Sequence, residues 1–296
     1  MLCLNFMDLS NEIVVQENIN GVEVLRFRKL LEYPNLKHAY ALKPLNFRRL
    51  EGEDSKYNEY EKFLKAVEIN PITLVKPNQT HSDNILKIEK KQNENLPDIY
   101  LEYLDGVDAS ITNKPQITLA STNADCILIM FYDKNKNVIA NVHSGWRGTF
   151  QKIAQKTVKK MKEDYNSNPE DIIACICPAI RACHFEVDID VKEECERIFK
   201  YTNRLDEIIK LGRVFEEKQK YNIDTILINK ILLKEEGLKE ENILDSGICS
   251  VCSSEKVHSR RVEGANFGVG SAVIVLDFAE KYDTIQFGEY WKIERL

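Results

Sequence analysis

Ile127-Leu128-Ile129-Met130-Phe131-Tyr132 and Val138-Ile139-Ala140-Asn141-Val142 are two short apolar runs separated only by Asp133-Lys134-Asn135-Lys136-Asn137. Runs of this length, bounded by Asp and Asn, read as strands, and a polar turn that short joins them antiparallel. With residues 133 to 136 as the loop, Tyr132 faces Asn137 and the same register sets Cys126 opposite His143. Cross-strand partners have Cβ atoms about 4.5–5.5 Å apart, and a slip of one residue would send the two side chains to opposite faces. A thiolate and an imidazole at that spacing suit a first-row metal.

Further runs read as strands: Val22–Phe27, Ile72–Val75, Ile85–Ile88, Ile117–Ala120, Ile172–Ile176, Ile243–Ile248 and Ala272–Leu276. Between them lie helical patterns. Trp146, Phe150, Ile153, Ala154, Val158 and Met161 form one amphipathic stripe. Ile223, Ile226, Leu227 and Ile231 give a second, and Tyr60, Phe63, Leu64 and Val67 a third. The polar stretches Glu51–Lys62 and Glu89–Asn95 read as surface. No repeat, low-complexity block or Pro/Gly/Ser-rich linker divides the chain. The expectation is an α+β protein, one domain over residues 1–296, with mixed β-sheets flanked by helices.

A chain of 296 residues can bury a core without needing a disulfide or a metal to hold it. Its 41 Lys and Arg stand against 47 Asp and Glu, a net charge of −6, which argues against a general nucleic-acid binder. No apolar stretch approaches the ~20 residues that a membrane-spanning helix needs. The start MLCLNFMDLS lacks the basic opening of a signal peptide and meets Asp8 and Glu12 early. Eight cysteines are too sparse for a disulfide scaffold. The expected setting is therefore cytoplasmic and reducing, with cysteines as buried hydrophobes, metal ligands or nucleophiles.

Three segments concentrate reactive side chains: Asn78-Gln79-Thr80-His81-Ser82-Asp83, Asn123-Ala124-Asp125-Cys126, and His143-Ser144-Gly145-Trp146-Arg147-Gly148. His81, Cys126 and His143 form a plausible three-ligand zinc set that leaves a fourth position open. Such a metal lowers the pKa of a bound water or polarises a substrate oxygen. A rival reading takes Cys126 as a thiolate nucleophile with His143 as its base and no metal. Spacing alone does not separate the two.

Together the segments resemble the family first described as multicopper polyphenol oxidases, or laccase-domain proteins, and now regarded as zinc-dependent purine nucleoside phosphorylases with adenosine deaminase activity. The motifs that carry the resemblance are QTHS (79–82), DGVDASIT (105–112), TNADCILIMFYD (122–133), HSGWRG (143–148), CPAIRACHFEV (177–187), YNID (221–224) and the segment around Cys249. They run in order over residues 36–276. The resemblance implies metal ligation by His81, Cys126 and His143, zinc as cofactor, and purine nucleosides and phosphate as substrates: adenosine, inosine, guanosine and methylthioadenosine. Some positions depart from the family pattern. The N-terminal stretch reads HAYALKPLNF (38–47), with Lys43 where the family often has Arg. Near the C-terminus stand Ser259-Arg260-Arg261-Val262-Glu263 and Gly268-Val269.

Asp125 precedes Cys126 and would point to the other face of a regular strand. Bent into the pocket it would serve as a general acid or base, and otherwise it makes a structural hydrogen bond. Arg147, at a strand-to-helix turn, makes with the helix N-terminus an anion site suited to phosphate, unless it pairs with Asp105 or Asp108. Trp146 either stacks on a base or packs in the core. Cys175, Cys177, Cys249 and Cys252 invite a second metal site, but C-x-C is too tight for an ordinary zinc knuckle and buried thiols at strand ends are the default. Cys183-His184 lies in a family motif without an implied ligand role. His38 and His258 read as surface residues or supports of the site. There is no G-x-G-x-x-G or P-loop. Copper stands as an alternative or adventitious metal, yet five histidines cannot easily supply a multicopper cluster.

Overall fold

The computed structural model describes residues 7–48, 56–69, 73–89 and 105–278. Two six-stranded sheets dominate it. The first contains β1 (Val14–Ile19), β2 (Val22–Phe27), β3 (Leu36–Ala41), β4 (Thr73–Val75), β7 (Ile117–Asn123) and β15 (Gly270–Leu276), in the spatial order β1-β2-β3-β15-β7-β4. The second contains β5 (Ile85–Lys87), β6 (Ala109–Thr112), β8 (Ile127–Asp133), β9 (Val138–Ser144), β10 (Ile172–Ile176) and β14 (Ile243–Asp245), in the order β14-β10-β8-β9-β6-β5. Most pairs are antiparallel; β4 with β7, β5 with β6 and β10 with β14 are parallel. A small antiparallel sheet of β11 (Glu186–Val187), β12 (Ile209–Phe215) and β13 (Lys218–Ile223) lies apart. Helices α1 (Lys56–Ala66), α2 (Trp146–Phe150), α3 (Ile153–Tyr165), α4 (Ile189–Phe199), α5 (Leu205–Ile208), α6 (Thr225–Glu235) and α7 (Arg260–Glu263) complete the α+β fold.

The apolar run of β8 shows why the layers stack. Leu128, Met130 and Tyr132 enter the core shared with Leu119, Ala272 and Ile274 of the first sheet. The alternate residues Ile127, Ile129 and Phe131 meet Ile153, Val158 and Met161 of α3. A strand buried on both faces reads as a continuous apolar run. On the far side of the first sheet, Tyr60, Phe63 and Leu64 of α1 pack with Phe47 and Val273.

Three expectations are corrected. The β8–β9 pairing is Asp133 with Val138 and Leu128 with His143, a register two residues away from the one expected. The Asp133 carboxylate accepts from the Asn135 and Lys136 amides at 2.9 and 3.0 Å, and Asn137 takes φ +50°, so the turn is residues 134–137. A shift of two preserves the face, leaving Cys126 diagonal to His143 rather than opposite it. The stripe from Trp146 to Met161 is two helices, broken where Lys152 takes φ +64°. Phe150 packs with Phe199 and Ile223, whereas Ile153 and Val158 pack on the second sheet; one straight helix could not face both clusters. The strand from Ile243 ends at Asp245. Ile72, residues 51–55 and residues 90–95 of the expected strand and polar stretches lie outside the described residues.

Candidate functional site

All three candidate ligands sit where the chain enters or leaves a sheet. His81 follows β4 of the first sheet and precedes β5 of the second. Cys126 ends the crossover from β7 to β8, where Asp125 takes φ +87°. His143 is the penultimate residue of β9, just before α2. Their ligand atoms all lie within 4.8 Å of one another. Cys126 Sγ is 3.7 Å from His81 Nε2, and the two imidazoles meet edge to face with centroids 4.9 Å apart.

Asp108 organises this cluster. One carboxylate oxygen is 2.7 Å from His143 Nδ1, and the backbone amides of Thr80, His81 and Ser82 donate to the two oxygens at 3.2, 3.1 and 2.7 Å. The Ser82 hydroxyl adds a donor at 2.6 Å. A single carboxylate thus fixes the His143 ring and the loop bearing His81, the support typical of metal-bound histidines. The side chain is wholly buried. Burial alone would raise its pKa, but the bonds from His143 and Ser82 hold it down to about 2. Sequence reasoning missed Asp108 in this role. No local pattern carried it; the fold does, for the β6–β9 ladder pairs Ala109 with Val142, and the His143 amide donates to the Asp108 carbonyl at 2.7 Å.

Gly145 makes the space. Continued past Ile127 and Ser144, the hairpin register sets Gly145 opposite Cys126. A Cβ there would stand 2.8 Å from His81 Cδ2, 3.2 Å from Cys126 Sγ and 3.4 Å from His143 Cε1. The electrostatics suit a cation. Burial disfavours a Cys126 thiolate, yet His143 and His81 overcome it and pull the thiol below its ordinary value. Burial likewise disfavours His143 imidazolium, and Cys126 and Asp108 push its pKa up against that. A thiolate and two imidazoles with an open side fit zinc.

The cluster opens into a cleft of about 780 Å³, a size that suits a small-molecule ligand. Phe47, Trp146, Phe185 and Phe267 give it aromatic walls, and Arg147 and Arg260 give it positive charge. The Arg147 guanidinium lies 4.2 Å from the Trp146 ring centroid. It pairs with neither Asp105 nor Asp108: Asp105 accepts from Asn78, and Asp108 is occupied as described. Because α2 has only five residues, an anion here would rest on Arg147 far more than on a helix dipole. Trp146 is half-buried, edge to face with Phe150 at 5.4 Å, and also lines the cleft.

Asp125 lines the cleft as well, turned there by its positive φ rather than pointing to the far face. Its oxygens accept from Ser250 Oγ at 2.6 Å, Ser259 Oγ at 2.7 Å and the Arg261 amide at 2.8 Å. Two of the departing positions meet each other: Lys43 Nζ is 3.0 Å from Glu263, whose carboxylate also takes the Ser259 and Gly268 amides. His38 and His258 are buried, not at the surface. His38 Nε2 accepts from the Phe27 amide, and burial drives its pKa down to about 3. His258 Nε2 is bonded to the Leu45 carbonyl at 2.9 Å. Cys175 and Cys177 are fully buried in the core between the sheets, while Cys249 and Cys252 lie beside Cys183 and His184.

Two packed mixed sheets with a His–Cys–His cluster at their crossovers define an α+β protein with a metal-suited cleft. The chain belongs to the multi-copper polyphenol oxidoreductase laccase family, whose model matches residues 40–277. It is 32% identical over 198 residues to a purine nucleoside phosphorylase of Bacteroides thetaiotaomicron, spanning 67% of this chain and 71% of that one. It is 31% identical over 195 residues to adenosine deaminase RL5 from an unknown prokaryotic organism, spanning 66% and 72%. The crystal structure of YlmD from Geobacillus stearothermophilus shares the fold, with a TM-score of 0.76 and 23% identity over 90% of this chain and 100% of that one. No helix among the described residues is long and apolar enough to cross a membrane.

Proposed function

We propose that this chain is a zinc-dependent purine nucleoside phosphorylase that also deaminates adenosine, with His81, Cys126 and His143 as the metal ligands. The observation that carries the reading is the Asp108-supported cluster, opened by Gly145, at the floor of a nucleoside-sized aromatic cleft. The similarity to a purine nucleoside phosphorylase of Bacteroides thetaiotaomicron and to adenosine deaminase RL5 supports the two activities.

Zinc bound there supplies a Lewis acid toward a substrate or solvent oxygen. The chain does the rest. Asp108 accepts a hydrogen bond from Nδ1–H of His143 and so leaves Nε2 free to face the cleft. Aromatic faces such as Trp146 and Phe185 receive the base, and Arg147 receives phosphate through charge-assisted hydrogen bonds. In phosphorolysis a phosphate oxygen bonds the anomeric carbon as the glycosidic C–N bond breaks, and the base leaves with the electron pair. In deamination a water oxygen adds at C6 of the purine and the amine leaves as ammonia. The Asp125 oxygens already accept from Ser250, Ser259 and the Arg261 amide, so its first role is to hold the crossover before Cys126; acting on substrate requires one serine to turn away.

One observation favours a second reading. The ligand atoms of Cys126 and His143 lie within 4.8 Å of each other, the kind of thiol–imidazole pairing that cysteine hydrolases use. A multicopper oxidase fares worse on ligand count. Of five histidines, His38 and His258 are committed elsewhere and His184 lies in another cluster, which leaves two at this site.

The test is His81→Ala, because His81 belongs to the metal set and not to a Cys–His dyad. The zinc of this cluster, release of free base with ribose 1-phosphate, and ammonia release should all be lost together. A metal-free parent that keeps full turnover and traps substrate on Cys126 would overturn the reading in favour of the hydrolase.

A further inference from the structure

A second cluster stands on the other side of the cleft wall. Cys183 and His184 lie on the turn after Ile180, and Cys249 and Cys252 on the turn after β14. Cys183 Sγ is 3.6 Å from Cys249 Sγ. His184 Nδ1 is 3.2 Å from Cys183 Sγ, 3.7 Å from Cys249 Sγ and 3.6 Å from Cys252 Sγ. All four ligand atoms lie within 4.8 Å of one another.

These separations are four of the six edges of a tetrahedron, and the other two are within 4.8 Å. With Zn–S near 2.3 Å and Zn–N near 2.0–2.1 Å, ideal edges are about 3.8 Å for S···S and about 3.6 Å for N···S. Three of the four distances match within about 0.2 Å, the tolerance usual for a preformed site. The short one joins Cys183 to its own neighbour. The same sulfurs are unbonded thiols, far beyond the ~2.05 Å of a disulfide.

The backbone holds both turns in place. Ala179 and Cys249 form a β-bridge, the Ala179 amide donates to the Ile248 carbonyl at 3.3 Å, and the Ser250 amide donates to the Ala179 carbonyl at 3.0 Å. Asn222 Nδ2 donates to the Ala182 carbonyl at 2.7 Å. The ligands therefore come from two segments already in register.

We propose that Cys183, His184, Cys249 and Cys252 form a structural zinc site that staples the loop after β10 to the turn after β14. Four protein ligands leave no open position, which separates it from the three-ligand cluster in the cleft. A thiolate-rich tetrahedral set selects zinc over divalent metals that prefer oxygen or square-planar nitrogen ligands. The staple bears on the cleft. Ile180 and Phe185 line it from one stapled segment, and Ser250, from the other, donates to Asp125 next to Cys126.

The experiment measures metal content and thiolate spectra on the full chain, purified under reducing conditions. The parent should hold about two zinc ions, Cys252→Ser and His81→Ala about one each, and the double variant none. Cobalt in place of zinc gives a sulfur-to-metal absorption that counts thiolates. It should fall by about three quarters in Cys252→Ser, where three of four Co–S bonds go, and by about one quarter in His81→Ala. The exposed thiols of Cys183 and Cys252 give a check on unmutated protein: chelation should accelerate their alkylation at least tenfold. One zinc per chain that His81→Ala removes entirely would overturn the proposal. So would alkylation rates unchanged by chelation, a Cys183–Cys249 disulfide in the reduced preparation, or iron or copper as the metal held.

Discussion

Gly145→Ala isolates the geometry of the metal cluster from the stability of the fold. The backbone there has φ −57° and ψ 168°, which alanine adopts freely, so the substitution adds only a methyl group. That methyl would sit 2.8 Å from His81 Cδ2 and 3.2 Å from Cys126 Sγ. Restoring ordinary contact drives the His81 ring back by roughly half an ångström, against the ±0.2 Å that ligand distances tolerate. His143 lies within β9 and Cys126 directly precedes β8, so both give less than the loop-borne His81, which moves out of ligation. Losing even a supporting bond to a ligand costs about 10–100-fold in metal affinity, and losing the ligand itself should reach the top of that range or beyond. As the cap of α2, alanine in place of glycine should cost only ~1 kcal/mol of stability. The assay is a chelator competition for zinc, alongside a denaturant melt of metal-free protein. A variant that binds zinc as the parent does would refute the argument that this glycine exists to admit three ligands. So would a metal-free protein destabilised by several kcal/mol.

Three further outcomes are expected. Asp108→Asn should weaken metal binding by about 10–100-fold, because an amide no longer accepts the His143 proton while holding the Thr80–Ser82 amides; unchanged affinity by competition titration would remove Asp108 from the site. Arg147→Ala should raise the KM for phosphate by about 10–100-fold, the worth of one or two charge-assisted hydrogen bonds, and change deamination far less; equal losses in both would mark Arg147 as structural. Asp245 is opposed by burial, yet Arg181, Lys230 and the Gly247 amide hold its pKa down to about 2, so its stabilisation is present above pH ~4 and is lost as pH falls through 2. Asp245→Asn should therefore cost ~2 kcal/mol in denaturant melts at pH 7, with the gap to the parent closing toward pH 2.

The α+β class was legible because the second sheet is built from runs whose both faces are buried, as in β8, and because Ile153, Ala154, Val158 and Met161 keep helical spacing. β12 and β13 were not, since KQKYNI and IKLGRVF carry charge on a sheet with exposed faces. α4 escaped for a related reason: its apolar stripe rests on Cys195 and Phe199 amid acidic and basic neighbours. Asp108 and the Cys183–His184 pair were hidden differently. Each is ordinary in its own segment, and its chemistry arises from partners distant in sequence, such as His143 35 residues from Asp108 and Cys249 65 residues from His184.

The hairpin shows what residue spacing can and cannot carry. Side chains alternate with a period of two, so a pattern of apolar residues fixes which face a position occupies but tolerates a register error of two. Cys126 and His143 were placed on one face, and they are; they were placed opposite each other, and they are not. The turn decided that, through Asp133 capping the Asn135 and Lys136 amides, a hydrogen-bond choice that hydrophobic patterning does not encode. The true register brings Gly145 against Cys126. A side chain there would fill the space between the ligands, whereas His143 there would have set thiolate and imidazole face to face with no room for His81. The two-residue shift thus turns a two-ligand pair into a three-ligand site, and it makes glycine the informative residue of HSGWRG alongside the histidine.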